Sequence, residues 1–136
     1  LRFNMTNEEV IIKLAGLEER AKQIEQNIQI VEENSIDLER LRIGIEEINN
    51  SKGKEILAPV GMGIFVKAKI EHDDFLADVG GRNFVKKNVE GIQKLFSENV
   101  QKLQDIKKEL FQELENLNEE MEDTLQGLQT SQKEGN

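Results

Sequence analysis

Glu71-His72-Asp73-Asp74 places an imidazole among three carboxylates, the side chains from which metal centres, pH switches and acid–base sites are built. His72 is the only histidine in the chain. Asp73 and Asp74 could be imagined as paired catalytic carboxylates. No nucleophile and no pocket-forming core accompanies them, so the segment reads as a solvated connector. Two glycine clusters, Gly61-Met62-Gly63 and Gly80-Gly81, raise a phosphate cradle. Neither continues into the further glycine, lysine and helix of a phosphate-binding loop, and tight turns explain both better. The reading is of a non-enzyme with no catalytic, cofactor-binding or metal-ligating set.

Composition agrees. In 136 residues the chain has six phenylalanines, no tryptophan, no tyrosine and no cysteine. Large aromatics that would fill a compact core are scarce, whereas Glu, Lys, Gln and Leu suit long coiled-coil helices. Without cysteine, disulfides and thiolate metal sites are excluded. A net charge of −9 with no basic stripe argues against nucleic acid. No apolar run approaches the ~20 residues of a membrane span, and the first residues lack the pattern of a secretory signal. The expectation is a cytoplasmic protein, with Met5 a possible natural start.

Two elements dominate the chain. From Val10 the seam positions run Leu14, Leu17, Ala21, Ile24, Ile28, Val31, Ser35 and Leu38, all apolar but Ser35, in steps of four and three that mark a coiled coil. The seam is then expected to slip to Leu41, Ile45 and Ile48. A second series runs Ile92, Phe96, Asn99, Leu103, Ile106, Leu110, Leu114, Leu117, Met121, then Thr124 or Leu125, then Leu128, with a stutter at Ile106. We expect helices over residues 8–50 and 88–130, the second capped by Asn88, and a frayed tail at 131–136. They would pair within the chain as an antiparallel coiled coil, forming one domain over 1–136.

Between them, residues 55–87 change character. Val60-Gly61 and Phe65-Val66-Lys67 are echoed by Val79-Gly80 and Phe84-Val85-Lys86. Each copy reads as strand, glycine turn, strand, giving hairpins Ile56–Val60 with Ile64–Ile70 and Phe75–Val79 with Asn83–Lys87. The fold class is therefore mainly α with a small β part. Isolated hairpins are not stable in water, and natural proteins cover or pair their edges. Ile56, Val60, Ile64, Phe65, Val66, Ala68, Ile70, Phe75, Val79, Phe84 and Val85 are the candidate oligomerisation residues, meeting hairpins of other subunits in a sheet or barrel.

Two coiled-coil helices flanking "LAPVGMGIFVKAKI" and "FLADVGGRNFVKKNVEGI" resemble the alpha-class subunits of prefoldin. Pro59, Val60, Gly61, Gly63, Phe65, Val66 and Lys67 match the first hairpin of that family; Val79, Gly80, Lys86 and Lys87 fit its second. The resemblance implies a hexamer of two alpha-class and four beta-class subunits on a double β-barrel platform. It implies an ATP-independent holdase whose coiled-coil tips grip non-native polypeptides and pass them to a group II chaperonin. On that reading Phe3, Met5, Val10, Ile11, Ile12, Leu14, Met121, Leu125 and Leu128 are the candidate client-binding residues. A structural coiled-coil scaffold or self-assembling filament, using the same hairpins, is the alternative.

Overall fold

In a computed structural model, described for residues 6–134, the elements are α1 (Asn7–Ile48), β1 (Glu55–Gly61), β2 (Ile64–Lys69), β3 (Phe75–Asp78), β4 (Phe84–Lys87) and α2 (Val89–Glu134). The architecture is two long packed helices with two small antiparallel hairpins, β1–β2 and β3–β4, that do not join into one sheet. α2 runs four residues beyond the expected end at 130. Residues 131–134 lack apolar periodicity but include no glycine or proline, and Gln, Lys and Glu are good helix formers.

The chain forms two compact units. In the first, Leu1–Asn34 with Lys102–Asn136, the buried side chains among the described residues are Val10, Ala21, Ile24, Ile28 and Val31. The half-buried positions of α2 include Leu103, Lys107, Leu110, Leu114, Leu117, Met121, Thr124 and Leu128, an unbroken alternation of four and three. Lys13–Glu120 (3.6 Å), Arg20–Glu113 and Glu32–Lys107 (3.5 Å) tie the helices. Rising α1 numbers meet falling α2 numbers, so the pair is antiparallel.

This seam corrects the expected stutter. Ile106 is 44% exposed and Lys107 takes the inner position. The lysine stem can lie along apolar surface while its ammonium reaches out; here the ammonium meets Glu32 and sits 5.8 Å from the Phe111 ring. Regular spacing outweighs the apolarity of one neighbour.

In the second unit, Ser35–Gln101, the same competition recurs. Leu38, Arg42 and Ile45 are half-buried and continue the four-three rhythm, whereas Leu41 (48%) and Ile48 (37%) are exposed. The four-three rhythm therefore holds to Ile45, with Leu41 half covered at its rim rather than taking over the seam. Arg42 donates from Nε to both Glu39 oxygens at 3.1 Å and from Nη1 to Glu46 at 2.8 Å. The Arg42 hydrogen bonds hold the Glu39 carboxyl below its ordinary range and push the guanidinium higher still. Leu41, Ile45, Ile92 and Phe96 line a small apolar cavity between the helices of this unit. Asn99 is half-buried beside Val100.

Caps set the element ends. The Thr6 hydroxyl accepts the Glu9 amide and the Glu9 carboxylate accepts the Thr6 amide, both at 3.2 Å, a reciprocal capping box. After α1, Asn50 turns left-handed at φ 60°, and the buried Ser51 donates its hydroxyl to the Glu47 carbonyl. Gly53 and Lys54 then exchange backbone hydrogen bonds with Ile70, extending the first hairpin. Asn88 caps α2, its side-chain oxygen accepting the Gly91 amide at 2.8 Å.

Candidate assembly and client-binding surfaces

The hairpins are built alike. Ile56 pairs with Ala68, Leu57 with Lys67, Ala58 with Val66 and Pro59 with Phe65. In the second, Phe75 pairs with Lys87, Leu76 with Lys86, Ala77 with Val85 and Asp78 with Phe84. A Leu–Lys pair followed by an Ala–Val pair thus stands at the same place in each. The shared pattern is wider than the Val-Gly and Phe-Val-Lys echo, and Leu57, Ala58, Leu76 and Ala77 were missing from the sequence-derived surface. Comparing "ILAPVG" with "FLADVG" exposes them.

Both hairpins also close on the same turn. Met62 and Gly63 have φ of 50° and 76°, and Gly81 and Arg82 have φ of 59° and 62°. Two consecutive positive values mark the turn whose twist suits two-residue hairpins. Here glycine supplies only one of the two central residues, so Met62 and Arg82 each hold a conformation that L side chains resist. The first hairpin carries a register shift between Pro59 and Gly61, which leaves Val60 unpaired.

Successive residues of a strand face opposite ways and direct partners share a face. One face of the first hairpin therefore holds Ile56, Ala58, Val66 and Ala68, and the other Leu57, Pro59, Phe65 and Lys67. The candidate residues lie across both faces. Val60, Ile64, Phe65, Val66, Val79, Phe84 and Val85 are all exposed, while Ile56, Ala68, Ile70 and Phe75 are half-buried. Apolar side chains open on both faces of two-stranded hairpins form a surface that association can cover.

Among the candidate client residues, Ile11 (63%) and Ile12 (72%) are open on α1, and Leu125 (46%) is open on α2. Val10, at 4%, is a seam residue closed by the helix pairing; Leu14, Met121 and Leu128 are half-buried. Phe3 and Met5 lie outside the described residues. His72 is exposed in the connector, and Asp74 reaches Lys86 at 3.7 Å across the second hairpin. No group of three or more His, Cys, Asp or Glu placed to hold a metal occurs among the described residues.

A family model described as prefoldin subunit matches residues 17–134, a span containing both hairpins and most of both helices. The chain belongs to the prefoldin family. Over 87 residues it is 24% identical to prefoldin subunit alpha of Methanosphaera stadtmanae, a match covering 64% of this chain and 63% of that relative. The family model and this likeness together support an alpha-class subunit. The fold is similar to a filamentous prefoldin from Methanocaldococcus jannaschii, solved by cryo-electron microscopy: TM-score 0.53, 23% identity, covering 85% of this chain and 92% of that one. Prefoldin subunits assemble into oligomers, and none of the helices described here is long and apolar enough to cross a membrane.

Proposed function

We propose that this prefoldin subunit serves an ATP-independent holdase of the cytoplasm. Its hairpins join those of beta-class subunits in an assembly of two alpha-class and four beta-class chains. The coiled-coil ends hold non-native polypeptides and hand them to a group II chaperonin. It works without a cofactor. The observation that carries the reading is the exposure of Ile11 and Ile12 beside a seam already closed by Val10. Apolar side chains that the coiled coil does not use are available to an unfolded chain, whose own apolar groups lack partners. Repeated over several subunits, individually weak contacts gain from high effective concentration.

Changing Ile11, Ile12 and Leu125 to Ser tests the reading. In an assembly of unchanged mass, the variant should suppress aggregation of a chemically unfolded protein less well than the parent, without nucleotide. Retained suppression would move the client site elsewhere. The scaffold or filament reading draws on the same exposed hairpins and predicts a different mass. Open-ended polymers of this chain alone would favour it, and a closed complex with beta-class subunits favours the holdase.

A further inference from the structure

Outside its seam, α1 carries a second stripe at the same rhythm: Glu8, Ile12, Ala15 and Glu19, in steps of four, three and four. At 100° per residue this stripe is centred almost opposite Val10, Leu14 and Leu17. Ile11 and Gly16 flank it, and all six residues are exposed. Isoleucine gives way to alanine and glycine along the stripe, so a low apolar step stands between carboxylates at either end.

Gly16 strengthens the reading. Glycine is the poorest helix former after proline, yet it sits here inside a continuous helix. A Cβ at Gly16 would meet nothing within 4 Å, so internal packing does not require its smallness. A helix position kept bare on its outer face suits close approach by something outside. The end carboxylates are available too: Glu8 and Glu19 make no ion pair with another described residue, unlike Glu32, Glu113 and Glu120. Glu8 also suits the helix N-terminus, whereas Glu19 has no such local reason. The surrounding charge is predominantly acidic, although the exposed Lys22 stands at the next step of the stripe after Glu19. In the described residues of this unit sixteen Asp and Glu outnumber seven Lys and Arg; in the other unit the numbers are eleven and ten.

We propose that this outer face of α1 binds extended polypeptide segments in which apolar side chains lie between lysines or arginines. The inference rests on the holdase reading and names the client chemistry that one α1 selects. Glu8 and Glu19 stand ~16 Å apart along the helix at 1.5 Å per residue. At about 3.3 Å per residue, an extended chain spans that gap in roughly five residues. The apolar side chains pack on Ile12 and over Ala15 and Gly16, and the cations reach the carboxylates. The acidic surroundings disfavour acidic segments, so discrimination combines attraction with repulsion.

The test uses the full chain in its assembled form and two fluorescent peptides of equal length. Each has two isoleucines between charged residues five positions apart, lysines in one peptide and glutamates in the other. At low salt the lysine peptide should bind on the order of tenfold more tightly, with the gap narrowing severalfold at 0.5 M salt. Glu8→Gln with Glu19→Gln should shrink the preference while leaving helix content unchanged. Gly16→Leu should weaken the lysine peptide. Equal binding of the two peptides, or a preference untouched by the glutamine changes, overturns the inference. If the Ser variants at Ile11 and Ile12 lose capture of unfolded protein while the peptides bind alike, the holdase reading stands and only the charge selection falls. If those Ser variants keep full capture, the holdase site itself is elsewhere.

Discussion

Arg20 on α1 and Glu113 on α2, ninety-three positions apart, are hydrogen-bonded through the guanidinium and a carboxylate oxygen. Their pairing, with Lys13–Glu120 one heptad away on each helix, marks the antiparallel register. Both side chains are about half exposed. Such pairs contribute about 0.2–1 kcal/mol, so a double-mutant cycle of Arg20→Ala and Glu113→Ala should give a coupling in that range, falling with added salt. A coupling of several kcal/mol would mean that the pair is sealed from solvent.

The corrected seam makes a sharper prediction. Ile24, 1% exposed, is the most deeply buried side chain described, and Ile24→Ala should cost about 2–5 kcal/mol. Ile106→Ala, at an exposed position beside the seam, should change stability by no more than about 0.5 kcal/mol. Chemical denaturation of the two variants measures both values. Comparable losses would restore Ile106 to the seam.

The Arg42 cluster predicts a pH effect. The Glu39 carboxyl is held low, so its stabilising contribution is present above the ordinary carboxylate range and disappears as pH falls through the lowered value. Replacing Arg42 by Gln should remove that part of the acid-side dependence. An NMR titration showing the same Glu39 midpoint in parent and R42Q would contradict the assignment.

Turn geometry gives a gain. Met62 is fully exposed at positive φ, and Met62→Asn would place Asn-Gly in the turn that favours it most. The substitution relieves left-handed strain and should stabilise the hairpin by about 0.5–1 kcal/mol. Amide hydrogen exchange in β1 and β2 reads the change directly. Slower exchange is expected; faster exchange would mean that the methionine contributes packing the exposed turn does not reveal.

Assembly through the hairpins is tested at Val66 and Ile64, exposed at 52% and 64%. If association covers them, Val66→Asp or Ile64→Asp introduces a charge into an apolar interface and costs several kcal/mol of association. Sedimentation should then show dissociation while circular dichroism retains the helix signal. An oligomer of unchanged mass would exclude that surface.

Local interactions were legible in the sequence. The heptad of α1 up to Val31, the Asn88 cap and both glycine-centred turns follow from residues within four positions of one another, whose preferences act before any distant contact forms. The same span of information was enough to resemble the right family, because the Val-Gly and Phe-Val-Lys echo lies in two short hairpins. Thr6 and Glu9 were equally readable as T-x-x-E, but the pattern went unused.

Tertiary structure decided what depends on a partner element. Side-chain identity favoured Ile106 over Lys107 and Leu41 over Arg42, yet the paired helices keep an unbroken rhythm and let long basic stems lie along the seam with their charges outside. Cross-strand register decided that Leu57 meets Lys67 as Leu76 meets Lys86, an equivalence visible only once the strands are aligned. Exposure likewise divides the candidate client residues: periodicity already put Val10 in the seam with Ile11 and Ile12 off it, and helix pairing closes Val10 to 4% while leaving the two isoleucines open at 63% and 72%. A sequence states which residues are apolar. Which of them remain uncovered depends on how far the packed elements reach around them.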